Sequence, residues 1–212
     1  MLVTKNDIAE MSKRYRTHFI NSLSGYKSAN LIGTQDKKGN TNLSIVSSVF
    51  HLGADPALMG MIIRPRAVPR HSFDNLTETG FYTINHVSGN FYQQAHQTSA
   101  RYDKQASEFE MVGLEAEYID GFLAPFVKQS KLKIGMKLVE TQTLNINDTE
   151  LVIGEVVCVD VEEHALEKDG FINVSALNSV AVNGLDGYCS GQLVNRLAYA
   201  KPELPGKILS LD

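Results

Sequence analysis

Two long runs of alternating and β-branched residues, 131–145 and 150–162, flank the polar turn Ile146-Asn-Asp-Thr149 and read as one extended antiparallel hairpin. The same period of two returns elsewhere. Residues 29–34 and 41–51 read as strands around the polar turn 36–40, and 57–63 resumes as a buried strand after Ala54-Asp-Pro56. Residues 81–86 form another, and 171–182 carry a last strand or two. Six or seven strands with turns between them do not match the regular β-α-β alternation of a dinucleotide-binding sheet. The pattern predicts a mainly β, closed or nearly closed antiparallel barrel with peripheral helices.

Helical signals are few. Residues 6–23 carry Ile8, Met11, Tyr15, Phe19 and Leu23 at three- and four-residue spacing, with Asn6 or Asp7 as N-cap and Gly25 as the stop. That apolar stripe must pack on something larger. Residues 68–79 read as a helix stopped by Gly80, and 88–97 as a short one. Residues 98–107 have no clear period, and 188–212 form a mostly irregular tail with Pro202 and Pro205. With 212 residues and no internal repeat, linker or composition break, a single domain over 1–212 is expected.

Charge and cysteine content narrow the function. Twenty basic residues stand against 24 acidic ones, net −4, with no basic block, which argues against nucleic acid as the main partner. No long apolar run or signal-like start occurs, so a cytoplasmic protein without membrane contact is expected. Cys158 and Cys189 lack metal or redox spacing, and none of the six histidines stands at a ligand spacing beside a carboxylate or cysteine, so no metal is expected. Glycine-rich phosphate loops, nucleophile elbows and zinc-protease motifs are absent from the sequence.

Three segments carry candidate chemistry. In residues 42–51, Ser44, Val46, Ser48 and Phe50 share one strand face, while Leu43, Ile45, Ser47 and Val49 share the other. A strand of hydroxyls among branched aliphatics can line a flat apolar slot; it can equally be a half-buried strand. Residues 62–75 run from a buried strand through Arg64, Arg66, Arg70 and His71 into a helix beginning near Pro69 or Ser72. Free amides at a helix start, a hydroxyl and guanidinium groups are what a phosphate needs, although a solvated basic loop looks the same. The third segment, 93–104, is a polar run that is either a surface loop or a site-bearing one, with Thr98, Ser99, Arg101 and Lys104 as donors.

The order of Asn30–Thr34, Asn42–Phe50, Asp55-Pro56, Arg64-Pro65, Arg70–Asn75, Phe81–His86 and Arg101–Gly113 resembles the flavin reductase-like family of FMN-binding split-barrel proteins, in particular its flavoredoxin-like branch. The resemblance covers about residues 25–190 and is looser after 173. It implies a Greek-key split barrel that dimerises and holds FMN non-covalently near the dimer interface. It further implies that Ser44, Val46, Ser47, Ser48, Val49 and Phe50 lie along the isoalloxazine ring, and that Arg70, His71 and Ser72 form the phosphate turn with Arg64 nearby. Threonine is the more usual hydroxyl where Ser72 stands. Asn85 and His86 border the flavin pocket in this picture, and Lys104 matches a basic residue near the cofactor.

Flavin chemistry needs no obligatory acid or base for hydride transfer, so no catalytic residue is assigned; His51 and His86 are candidates for proton delivery. Backbone N–H groups near the N1–C2=O edge are expected to stabilise the reduced ring. NAD(P)H is the implied co-substrate, held on the substrate side by Thr98, Ser99 and Arg101. Three functional readings are open: an NAD(P)H-dependent flavin reductase, a flavoredoxin-like carrier that exchanges electrons with a redox partner protein, and a non-catalytic ligand-binding barrel.

Overall fold

A computed structural model describes residues 1–209 of the chain. The N-terminal stripe forms two helices where one is expected, α1 (Lys5–Glu10) and α2 (Lys13–Ser22). Thr4 starts α1 four residues before Ile8: the Asp7 amide donates to its hydroxyl, and the Thr4 amide donates to the Asp7 carboxylate at 2.7 Å. Met11 and Ser12 leave helical geometry, with ψ of 139° and 149°, and the chain restarts at Lys13. Neither helix holds a buried residue: Ile8, Met11 and Phe19 are half-buried, and Tyr15 and Leu23 are exposed.

β1 (Tyr26–Ser28) and β2 (Asn30–Gln35) lead through a tight turn into β3 (Thr41–Val46). The Asp36 carboxylate holds the turn, accepting from the Lys38 and Asn40 amides at 2.9 Å each. β3 ends at Val46, short of the His51 that alternation suggests. Residues 47–49 leave the ladder because Ser48 Oγ turns inward to donate to the Ile62 carbonyl at 2.7 Å. The run restarts as β4 (Phe50–Ala54), which hairpins into β5 (Ala57–Ile63). Gly60 is needed there, since a β-carbon would enter the Phe50 ring packed over it.

α3 (His71–Thr79) follows and is stopped by Gly80 at φ 79°, a left-handed turn that favours glycine. Next come β6 (Phe81–His86), α4 (Tyr92–Gln97), α5 (Glu108–Val112) and the short β7 (Ala116–Glu117) and β8 (Phe126–Val127). The long hairpin appears as β9 (Leu132–Leu144) and β10 (Thr149–Val161), close to its expected bounds. The run 171–182 yields only β11 (Val180–Asn183): the Asn173 side chain accepts from the Ser175 amide at 3.2 Å and makes a turn instead. β12 (Gly187–Ser190) extends regular structure into the expected tail.

Seven strands form one antiparallel sheet in the order β3-β2-β6-β9-β10-β5-β4. Its end strands, β3 and β4, do not pair with each other, so the sheet curls without closing. β1, β11 and β12 make a second, three-stranded sheet. Alternation along the strands divides the apolar residues into two cores. Ile32, Met61, Leu76, Tyr82, Ile84 and Met136 fill one face, which α3 covers through Phe73 and Leu76. Leu31, Leu43, Val87, Phe91, Ala95 and Phe109 fill the other, beneath α4, α5 and β11. No helix among the described residues is long and apolar enough to cross a membrane.

Candidate functional site

β3 is an edge strand, and its outward amides need acceptors that no strand supplies. Side chains from the α4–α5 segment provide them. The Leu43 amide donates to Glu108 Oε2 at 2.9 Å, and the Asn42 side-chain amide donates to the same oxygen. The Ile45 amide donates to Thr98 Oγ1 at 2.9 Å, while the Thr98 hydroxyl donates to the Ala95 carbonyl at 2.8 Å. This capping then stops. The backbone N–H groups of Ser47, Ser48 and Val49 find no protein acceptor among the described residues.

The first turn of α3 lies against the same strand. Ser72 Oγ donates to Asn42 Oδ1 at 2.8 Å and sits 2.7 Å from Ser44 Oγ. Since the Ser72 proton is committed to Asn42, the Ser44 hydroxyl donates to Ser72. A continuous chain of bonds thus runs from Ser44 through Ser72 and Asn42 to Glu108. It fixes the start of α3 relative to the strand edge. Arg70 precedes the helix, and among the described residues no side chain caps its first-turn amides.

The arginines here divide into two kinds. Arg66 pairs with Asp74 at 3.1 Å and rests 4.9 Å over the Phe73 ring. Arg64, Arg70 and Arg101 make no ion pair among the described residues. Burial pushes the Arg70 guanidinium below its ordinary pKa, and the charges of Arg64 and Arg101 push it further the same way. The charges of Arg64 and Arg101, which come from two separate segments, thus both reach Arg70.

The structure brings Ser44, Arg64, Arg70, His71, Ser72 and Arg101 to this end of the open sheet, next to the free amides of 47–49. Val46 and Val49 pack against the first core, and Ser48 ties the strand exit to β5. Phe50 is exposed over Gly60, and His51 is exposed on β4. Thr98 is buried as a strand-edge cap, whereas Ser99 is exposed. Two residues stand apart. The Asn85 amide is fully buried and engaged, donating to the Leu31 carbonyl and Thr83 Oγ1 and accepting from the Val127 amide. Lys104 is exposed, and its charge adds the smallest of the effects that lower the Asp36 pKa, of which the Asn40 hydrogen bond is the largest, while burial opposes them.

His86 ends β6, paired across from Asn30. Burial drops its pKa to about 4, so its ring is neutral near pH 7 and holds no imidazolium proton to deliver there. Sequence reasoning did not single out Glu108, whose carboxylate organises the edge from more than sixty residues away. No local pattern marks it. The pairing of a polar strand edge with a helix of acidic residues, Glu108 and Glu110, is the only trace it leaves in the sequence.

Comparison with known proteins places this geometry. The model of the flavin reductase like domain matches residues 24–182. A candidate flavin reductase with a split barrel domain from Shewanella frigidimarina NCIMB 400 is 62% identical, with a TM-score of 0.92 over 94% of this chain and 100% of that one. Nitrilotriacetate monooxygenase component B from Bacillus cereus shares the fold at 19% identity, with a TM-score of 0.81 over 92% of this chain and 98% of its own. Flavoredoxin of Desulfovibrio vulgaris (Miyazaki F) shares it at 21% identity, with a TM-score of 0.70 over 81% and 91%. With three quarters of its length matched and a split-barrel relative aligned almost end to end, this chain belongs to the flavin reductase-like family of flavin-related oxidoreductases.

Proposed function

We propose that the protein binds FMN non-covalently and reduces it with NAD(P)H, as a flavin reductase. The observation that carries this reading is the meeting of unpaired arginines and unbonded edge amides at one end of the open sheet. A phosphate monoester is a near-dianion and needs cations and N–H donors together. Arg70, the uncapped first turn of α3 and the Ser72 hydroxyl offer that set. Ser72 would turn its O–H from Asn42 toward the phosphate, with Ser44 following along the same chain of bonds.

The residues fit the other end of the cofactor as well. The isoalloxazine ring is flat, apolar on its faces and lined with carbonyl acceptors along its pyrimidine edge. The amides of Ser47, Ser48 and Val49 are donors without partners, and Val46 and Val49 present aliphatic surface beside them. FMN, when bound, supplies the hydride-accepting centre; the chain supplies position, exclusion of water and donors at the ring edge. His86, neutral near pH 7, would leave the reduced ring's charge to those amides. Ser99 and Arg101 lie on the loop that reaches the substrate side, while Thr98 holds that loop in place.

The working unit in this reading is a homodimer. The stripe of α1 and α2 is uncovered, with Tyr15 60% and Leu23 65% exposed, and β4 is an unpaired edge carrying Phe50 and Leu52 outward. Light scattering at micromolar concentration is expected to give twice the chain mass.

The test is direct. Purified protein should be yellow or turn yellow with added FMN, and anaerobic mixing with NADH or NADPH should bleach the flavin within seconds. A flavin that bleaches only with dithionite would make the protein an electron carrier instead. Absence of flavin binding would overturn the cofactor assignment.

A further inference from the structure

We propose that Asn30 recognises the flavin: its side-chain oxygen accepts the N3–H of the isoalloxazine ring. The inference rests on reading residues 47–49 as the segment along the ring edge, and it adds the acceptor which that segment lacks.

Asn30 Oδ1 is the one buried side-chain oxygen or nitrogen without a hydrogen-bond partner among the described residues. The residue is 1% exposed, so bulk water does not serve it. Its Nδ2 donates to Ser28 Oγ at 2.8 Å. Turning the carboxamide over would orphan an N–H instead, because Ser28 can meet only one half of the amide. The neighbouring strands offer no help. Asn30 lies in β2 directly opposite Val46 of β3 and His86 of β6. Valine has no polar side-chain atom, and no bond joins the His86 ring to Asn30.

The register places this orphan at the ring-edge segment. Asn30, Val46 and His86 form the row next to Ser44, Ile32 and Ile84, on the same face of the sheet. β3 ends at Val46, and the N–H groups of Ser47, Ser48 and Val49 that follow have no protein acceptor among the described residues. An unsatisfied acceptor thus stands one step along the ladder from three unsatisfied donors.

A flavin's pyrimidine edge reads C2=O, N3–H, C4=O, which is acceptor, donor, acceptor. Backbone amides can serve the two carbonyls, but none can serve the N–H between them. Burying that N–H unpaired would forfeit much of what the carbonyl bonds gain. Asn30 completes a donor–acceptor–donor set once Oδ1 turns toward the edge about the Cβ–Cγ bond, a soft torsion in asparagine. The Ser28 hydroxyl, on an exposed residue, then bonds to water.

Titration of FMN and of FMN methylated at N3 into the flavin-free wild-type, N30A and N30L proteins tests the proposal, with a urea midpoint taken for each. Wild type is expected to bind FMN roughly tenfold more tightly than the methylated flavin. N30A removes the acceptor and leaves room for the methyl group, so it should bind the two alike, with FMN weakened by about the same factor. N30L deletes the orphaned oxygen and keeps a branched side chain. Its midpoint should hold or rise while its FMN affinity falls, which a purely structural asparagine would not produce. Wild type that binds both flavins equally would overturn the proposal, as would a preference for FMN that survives in N30A. Lower midpoints in both variants with that preference intact would make Asn30 structural and overturn it too. Failure of wild type to bind any flavin removes the flavin reading and this assignment together; binding without discrimination removes this assignment alone.

Discussion

Lys133 and Arg70 are both cations drawn partly out of water, and their surroundings are opposite. Lys133 is 8% exposed and meets Glu117 at 2.6 Å and Asp160 at 2.9 Å. Burial alone would lower its pKa; hydrogen bonds to those two carboxylates outweigh burial and hold it above the ordinary lysine value. Among the described residues, the charges that act on Arg70 are those of Arg64 and Arg101. His86 shows a third outcome: buried without an acid, it gives up its charge, with a pKa of about 4. Arginine has no such exit, because a guanidinium stays protonated. A cation that can neither discharge nor pair within the fold is one whose partner comes from outside. On the proposed reading, that contrast separates a structural cation from those that await a ligand.

The largest expected effect sharpens the His86 arm of the comparison. Its folded pKa of about 4 lies below the unfolded value of 6.5, so the unfolded chain binds more protons between those pH values. Stability should be fully present above pH 6.5 and fall as the pH drops toward 4, by about 3 kcal/mol over the window. Urea midpoints for wild type and H86Q at pH 7 and 4.5 measure it; an equally steep loss in H86Q would assign the acid sensitivity to other groups.

Arg70→Ala is expected to weaken FMN roughly ten- to a hundredfold while leaving the urea midpoint unchanged or slightly higher, since a repulsion is relieved. A loss of stability with unchanged FMN affinity would make Arg70 structural, like Lys133. Glu108→Ala should cost about 1–3 kcal/mol, because the Leu43 amide and Asn42 side chain lose a buried acceptor. It should also weaken FMN, since Asn42 holds Ser72; thermal melts and flavin titration read the two effects separately. The smallest effect belongs to Lys133→Met. Its carboxylate partners are 40% and 52% exposed and can return to water, so stability should move by less than about 1 kcal/mol and FMN affinity not at all.

The sequence carries the strands and the basic turn before α3 more plainly than the connections between them. Alternation in 131–162 marks β9 and β10 to within a residue, because the hairpin is local and its two strands pair along nearly their whole length. The break at 47–49 is invisible to the same reasoning. It comes from Ser48 bonding to β5 across the fold, and serine at that position suits a strand equally well. The helix of 6–23 splits because Ser12 restarts the chain within a continuous apolar period.

At the site, the cluster Arg64-Arg70-His71-Ser72 is legible because it is local. The strand-edge roles of Thr98 and Glu108 depend on contacts over 53 and 65 residues, and the effect of Arg101 on Arg70 is likewise distant in sequence, so no local spacing marks them. Asn85 and Lys104 show the same limit in reverse. Each stands in a stretch matching the family, yet one is turned inward to Val127 and the other acts by its charge on Asp36.

The central claim is that the unpaired arginines are there for a phosphate. Parallel titrations of FMN and riboflavin into the apoprotein at moderate salt test it most directly, since the two ligands share the ring and differ in that one group. FMN is expected to bind at least about tenfold more tightly, with the difference shrinking as salt rises and collapsing in Arg70→Ala. Equal affinities for the two flavins at moderate salt would contradict the account.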